Sequence, residues 1–472
     1  MSTSASGPTF DPTFDPASDP ASDLLTVAAE RAIHYHQTLD ARHVAPAPEA
    51  VARLSALGGP LPDAPQPPGE TFALLDESGS PATVATTGVR YFGFVTGGSL
   101  PVTVAANWLA GAWDQNAALT IMSPVAAELE RITLGWLIDA LGLPAESGGA
   151  FVTGATMANF TALAAARHSV LRRVGWDVEA DGLFGAPPIT VIVGAEAHTT
   201  LHKALALLGL GRSRVVAVPV DGQGRMRGDA LPDPATISGP AIVCIQAGNV
   251  NTGAFDPAGE ILPWAREIGA WVHVDGAFGL WAAVAPARAQ LMAGFAGADS
   301  WATDAHKWLN VPYDSGLAFV RDPDALRNAM VATAAYLLTS DQRDPMHYTP
   351  ESSRRARGVE IWAALRTLGR SGVADLVERC CRHATRFAEG LRDAGYSILN
   401  EVVLNQVLVS FGDDETTSRV IAAIQQDGTC WCGGTVWQGR AAMRISVSSW
   451  ATTDEDVERS LAAMIRLARA NQ

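Results

Sequence analysis

The sequence predicts an α/β protein: a large domain built on a mainly parallel β-sheet, followed by a smaller α+β C-terminal domain. Three observations carry this. From about Thr71 to Asp322, short apolar runs alternate with stretches of helical periodicity, the pattern of strands joined by crossover helices with both sheet faces covered. Gly154, His198, Gln246 and Asp275 fall at or just beyond the C-terminal ends of the runs, where ligands gather in such sheets. After about Asp322 the texture changes to long helices with a few short strands.

In chain order, residues 8–23 read PTFDPTFDPASDPASD. Proline at every fourth position prevents helix and the acids keep the segment solvated, so residues 1–23 are expected to be a disordered tail. Leu24 to about Arg42 has helical spacing, and Pro46 to Pro68 reads as an extended proline-rich arm; residues 24–70 form one N-terminal unit. Within the large domain, 71–322, Phe151-Val152-Thr153 is a strand and Met157 to about Leu171 a helix. Ile189–Val193 is a strand and Thr199–Leu208 a helix. Val215–Val218, Ala241–Ile245 and Trp271–Val274 are strands, with a short helix, Ile261–Ile268, carrying Pro263 in its first turn. Two helices, Gly358–Leu368 and Val373–Ala394, open the C-terminal domain, 358–472. Strands at Gln406–Ser410 and Ala442–Ser446 follow, then a helix from Thr453 to Ala470 capped by Thr452-Thr453-Asp454-Glu455.

The 472 residues, 48% of them hydrophobic, suffice for a large core. A net charge of −15 argues against nucleic acid and anionic membrane as partners. No apolar run reaches the roughly 18 residues that cross a bilayer. The opening Met-Ser-Thr-Ser-Ala-Ser-Gly-Pro lacks a basic and then apolar leader, so no secretory signal is expected. The 5 cysteines match neither a disulfide framework nor, at Cys430-Trp431-Cys432, a zinc site. His198 and His202 have no evident third ligand. A cytoplasmic, reduced protein without a metal is expected.

Two segments carry the chemistry. His273-Val274-Asp275-Gly276-Ala277 is a strand ending on an acid, and Asp304-Ala305-His306-Lys307-Trp308-Leu309-Asn310 puts a lysine beside a histidine in an apolar stretch. An acid and a lysine at neighbouring strand ends are what pyridoxal 5'-phosphate requires. The lysine forms the Schiff base, and the acid keeps the pyridine nitrogen protonated so that the ring accepts electrons. His198 opens a helix and suits a ring stacked on a planar cofactor. Ala277 is small enough for a flat ring to lie against the backbone. Thr153-Gly154-Ala155-Thr156-Met157-Ala158-Asn159 joins a strand to a helix, a natural phosphate cradle, although taken alone it reads better as an ordinary capped helix.

His-Val-Asp-Gly-Ala, Asp-Ala-His-Lys-Trp-Leu-Asn, Gly-Ala-Thr-Met-Ala-Asn and Ser-Arg-Arg-Ala-Arg-Gly together resemble the group II pyridoxal-phosphate-dependent amino acid decarboxylases, from about Phe92 to Trp450. The resemblance implies the fold type I architecture of pyridoxal-phosphate transferases, with a mainly parallel seven-stranded sheet, and a homodimer with shared active sites. By position it makes Lys307 the Schiff-base lysine, Asp275 the pyridinium partner, His198 the stacking ring and Ala277 its counterpart. Ala155 and Thr156 would hold phosphate, helped by Ser300 and Asp304, with His306 beside it and Thr252 near the ring. Asp304 stands where relatives carry Asn, and a carboxylate near phosphate is unfavourable unless protonated or turned to backbone donors.

Residues 323–357 would hold a mobile catalytic loop, with Tyr336 as the tyrosine that protonates the substrate carbon after CO2 leaves. Phe94, Val95 and Thr96 match the side-chain pocket, and Ser353 a position where the neighbouring subunit reaches the substrate. The expected reaction is decarboxylation of an L-amino acid, aromatic or apolar, to the amine and CO2. The alternatives are decarboxylation-coupled oxidative deamination to an aldehyde, a carbon–carbon lyase, or a non-catalytic homologue. Tyr336 speaks against the aldehyde route, where relatives often carry Phe.

Overall fold

The computed structural model describes residues 21–331 and 343–472. An N-terminal arm comprises helices α1 (Ala21–Thr38), α2 (Pro48–Arg53) and α3 (Pro68–Gly79). Helix α2 interrupts the arm expected to be extended. Pro48 sits in its first turn, where a missing N–H costs nothing. Helices α4 (Pro101–Trp113) and α5 (Pro124–Ala140) lead into the large sheet.

That sheet contains β1 (Gly148–Val152), β2 (Thr190–Gly194), β3 (Val216–Val218), β4 (Ala241–Gln246), β5 (Trp271–Asp275), β6 (Ser300–Asp304) and β7 (Gly316–Val320). Among the described residues it is seven-stranded, in the order β1-β7-β6-β5-β4-β2-β3. Only β7 runs against its neighbours, β1 and β6. Helices α6 (Ala155–Arg172), α7 (Val178–Asp181), α8 (Thr199–Leu207), α9 (Ala258–Glu267) and α10 (Pro323–Met330) accompany it. Every residue of β1, β4, β5, β6 and β7 is buried, as sheets covered on both faces require. One core packs beneath Trp281, Trp301 and Phe319, and a second holds α6 with its run of buried alanines, Ala162 and Ala164 to Ala166. Pro263 lies inside α9 rather than in its first turn, because the helix starts at Ala258, three residues earlier than the apolar spacing indicates.

The C-terminal part contains α11 (Gly358–Asp393), β8 (Ser397–Ile398), β9 (Gln406–Ser410), α12 (Asp414–Asp427), β10 (Gly433–Trp437), β11 (Arg440–Ser446) and α13 (Asp454–Ala470). Helix α11 is broken at Gly369, whose φ of 61° leaves helical space, so the two expected helices are recovered on either side of it. Thr453 and Asp456 form a reciprocal capping box at the start of α13. Among the described residues no helix is long and apolar enough to cross a membrane. No group of three or more His, Cys, Asp or Glu is arranged to hold a metal among them. All 5 cysteines are buried and unbonded.

Candidate active site

The parallel strands end on one cavity of about 300 Å³. β1 delivers Thr153 and Gly154, β4 delivers Gln246, β5 delivers Asp275, and β6 delivers Asp304 and then His306 and Lys307. Asp275 and Lys307 come together because β5 and β6 are neighbours in parallel register, with Asp275 opposite Ala302.

Lys307 Nζ lies 3.1 Å from Asp304 Oδ2. The other oxygen of Asp304 accepts the Ala155 N–H at 2.6 Å, the first amide of α6. A carboxylate at a helix N-terminus is favoured by the exposed amides and the helix dipole. Asp304 therefore turns to a backbone donor and also holds the lysine. His306 is fixed by its Nδ1, which accepts the Ser315 N–H at 3.1 Å. Its Nε2 lies 3.5 Å from Asp304 Oδ1, and its ring packs on Tyr313 at 4.3 Å between centroids. Burial depresses the His306 pKa, against the opposing pull of Asp304.

His198 is the N-cap of α8, its Nδ1 accepting the Thr200 N–H and lying 2.7 Å from the Thr200 hydroxyl. Burial lowers its pKa below the ordinary imidazole value, while Asp275 works in the other direction. The site thus presents a neutral, flat ring. Asp275 receives Asn159 Nδ2–H at 3.2 Å on one oxygen and the Ala277 N–H at 3.3 Å on the other. Ala277 and Phe278 form part of the wall.

The turn Phe94–Gly98 packs on the lysine segment. Phe94 and Val95 have φ of 53° and 60°, a region that costs a β-branched residue about 1–3 kcal/mol. Gly97 faces the backbone of Lys307, and a Cβ there would land on the Lys307 carbonyl oxygen. Gly97→Ala is therefore expected to cost about 3 kcal/mol in urea unfolding.

Several expected residues lie elsewhere. Ser300 opens β6, at the far end of the strand from Asp304, and its hydroxyl is taken by Trp271 and His273, so it does not line the cavity. Thr252 is buried in a turn, where its hydroxyl donates to Gln223 O at 2.7 Å and accepts from Ala254 N. Phe94 is 65% exposed and stacks on Trp431, Val95 is buried, and Thr96 closes the turn onto Gly93. Ser353 is exposed, bonded to Asn116. None of these six lines the cavity. Tyr336 lies outside the described residues, as does the tail repeat up to residue 20.

Sequence reasoning missed Thr200, Gly248, Val250 and Phe278, which line the cavity, and gave Gln246 a place at a strand end without a role. It also missed Arg444 of β11, whose guanidinium donates to Val250 O and Asn251 Oδ1 and has no carboxylate within 4 Å among the described residues. Burial lowers its pKa.

His273, in the middle of β5, is fully buried, and its pKa is pushed down to about 3 from 6.5. The folded state refuses a proton that the unfolded chain binds, so stability is complete above about pH 6.5 and falls as pH drops toward 3. The slope for this group is about 1.4 kcal/mol per pH unit. Urea unfolding between pH 7.5 and 4.5 is expected to show this slope in the parent and a shallower one in His273→Gln.

The residues present fit pyridoxal phosphate. The cavity joins the N-terminus of α6, whose first amide Asp304 holds, with the Thr156 hydroxyl, a lysine, a strand-end carboxylate and a neutral imidazole. Gly154 keeps the cradle open, since a Cβ there would press on His306 and Asp304.

Known proteins place the chain in a family. The pyridoxal-dependent decarboxylase conserved domain matches residues 83–412. The chain is 31% identical over 395 residues to an aromatic-L-amino-acid decarboxylase of Drosophila lebanonensis, spanning 78% of this chain and 95% of that one. It is 26% identical over 374 residues to a phenylacetaldehyde synthase of a Rosa hybrid cultivar, spanning 71% and 72%. Its fold superposes on Oryza sativa TDC with PLP and tryptamine at a TM-score of 0.87 and 23% identity, covering 98% of this chain and 99% of that one. The domain match spans most of the chain and carries both the acid and the lysine of the cavity, so this protein belongs to the pyridoxal-dependent decarboxylases, carboxy-lyases acting on amino acids.

Proposed function

We propose that the chain removes the α-carboxylate of an L-amino acid with an aromatic or apolar side chain, releasing the amine and CO2, as a cytoplasmic homodimer. The observation that carries this reading is the convergence of Lys307, Asp275 and His198 on one cavity. Pyridoxal phosphate, held covalently by Lys307, supplies the sink for the electron pair left by the carboxylate. Asp275 would meet the ring nitrogen, His198 and Ala277 the ring faces, and Ala155 and Thr156 the phosphate. Asp304, 3.1 Å from Lys307 Nζ, would hold the lysine amine in place whenever it is free. The apolar wall at Phe278 and Val250 disfavours a charged carboxylate beside it and excludes water. Tyr336, on a closing loop, would protonate Cα.

The homodimer is supported by large apolar side chains exposed on α4 and just beyond it, Trp108, Leu109, Trp113, Ile121 and Met122. It is supported too by Phe94 and Ser353, which reach solvent rather than the cavity in the single chain. The buried, unbonded thiols accord with a reducing compartment. Two separate sheets support the division into a large domain at 71–322 and a small one at 358–472, joined by 323–357.

The test is a panel of amino acids scored for CO2 and amine against aldehyde, ammonia and peroxide. Aromatic substrates are expected to yield amine and CO2 in equal amounts; turnover confined to acidic or diamino substrates would sink the substrate assignment. A second reading, aldehyde formation, is favoured by the phenylacetaldehyde synthase likeness. Tyr336→Phe is expected to move product from amine toward aldehyde.

A further inference from the structure

We propose that a buried relay of side chains, running Trp271–Ser300–His273–Asn159, aims the Asp275 carboxylate and sets how strongly it engages the cofactor ring nitrogen. The proposal rests on the reading of Asp275 as the ring-nitrogen partner.

The direction of the relay follows from its ends. Trp271 Nε1 can only donate, and it donates to Ser300 Oγ at 2.8 Å. A carboxylate can only accept, and Asp275 Oδ2 receives Asn159 Nδ2–H at 3.2 Å. That orientation turns Asn159 Oδ1 to His273 Nε2, 2.8 Å away, so this nitrogen carries the hydrogen. A neutral ring then offers Nδ1 as acceptor to the Ser300 hydroxyl at 2.9 Å. Each of the four bonds therefore points its hydrogen toward Asp275. A doubly protonated His273 would break the sequence, because Ser300 would then face two donors. Burial, which keeps this ring neutral, supplies what the relay demands.

The relay spans three elements, β5, β6 and α6, and lies wholly inside the protein. Ser300, His273 and Asn159 are 0% exposed, so bulk water does not compete for their bonds. In such surroundings hydrogen bonds polarise one another along a chain. A tie that merely joined β6 to α6 would need no common direction and no carboxylate at its end. The relay also gives Ser300 work at the opposite end of β6 from the phosphate. Asn159, His273 and Ser300 are positioning residues, acting through Asp275.

The test uses the full chain reconstituted with pyridoxal phosphate and, in parallel, with the analogue whose ring nitrogen is replaced by carbon. Binding constants and the pH midpoint of the bound cofactor's visible absorbance are measured for the parent, Asn159→Ala, Ser300→Ala and Ser300→Thr. Asn159→Ala is expected to weaken cofactor binding roughly 10- to 100-fold, the range for a hydrogen bond to a charged group. Ser300→Ala, three bonds away, is expected to weaken it roughly 3- to 10-fold. Both shift the pH midpoint in the same direction, Ser300→Thr restores it, and both bind the carbon analogue as the parent does. Equal losses for the two cofactors, or variants indistinguishable from the parent, overturn the relay. Ser300→Ala removes one oxygen, and it decides the matter alone if Asn159→Ala does not fold. A parent that takes up no pyridoxal phosphate overturns the cofactor reading itself, an outcome distinct from unaffected variants of a parent that binds it.

Discussion

Lys307→Ala is expected to lower CO2 release by about 10⁴-fold or more, the scale on which enzymes lose a group that bonds covalently to the reacting system. Borohydride treatment of the parent is expected to add cofactor mass at Lys307, and of the variant to add none. The loss has a second component. Lys307 is the cationic partner of Asp304, whose side chain is 3% exposed, and its removal leaves that carboxylate with the Ala155 amide and His306. Losing a charge-assisted bond to a buried group costs about 1–3 kcal/mol, so Lys307→Ala is also expected to unfold at lower urea. Adding Asp304→Asn is expected to recover that stability and none of the turnover. A double variant that regained both would show that Lys307 serves only as a counter-charge. A single variant with normal turnover would remove it from the chemistry altogether.

Asp275→Asn is expected to lower kcat by about 10³-fold, or about 4 kcal/mol of barrier, while the fold is retained. The amide matches the carboxylate in size and takes the charge away, so the effect isolates electrostatics from packing. Asn159 and the Ala277 amide now direct their hydrogens at this position. The new amide satisfies them with its oxygen only and leaves its own hydrogens without a carboxylate to oppose a ring nitrogen. Steady-state CO2 release and cofactor content per chain are the measurements. A fall in cofactor content with unchanged turnover per bound cofactor would assign Asp275 to binding alone.

The parallel sheet was legible because β2, β4 and β5 are short and mostly apolar, and because chemistry-bearing residues fall at or just beyond their ends, whereas β6 and β7 were not read as strands, β6 being half polar. Asp275 was legible for the same reason, since it ends β5, and Lys307, three residues past β6, because it stands beside a histidine in an apolar stretch. Ser300 was misplaced because resemblance reports neighbours along the chain and not the strand end they occupy. Four residues of β6 put it about 13 Å from Asp304. Strands β8 and β10 escaped notice because both are short and lack an alternating apolar pattern. Arg444 gave no local sign, since β11 brings it within electrostatic reach of His198 from the other sheet. Phe94 and Ser353 are a different case: no property of one chain shows which surface a second copy covers.

The position of β7 has a consequence for biosynthesis. Strand β1, which leads into the phosphate cradle, pairs in the large sheet with β7 alone, Gly148 opposite Val320 and Val152 opposite Gly316. At about 5–20 residues per second, a ribosome needs roughly 8 to 33 s to pass from the end of β1 to the start of β7. During that interval the cradle strand has no partner and exposes both of its hydrogen-bonding edges. The lysine segment emerges just before β7. The two halves of the site are therefore joined by the last strand of the sheet to be made, and a nascent chain ending between residues 307 and 315 holds the lysine and the cradle without the strand that brings them together.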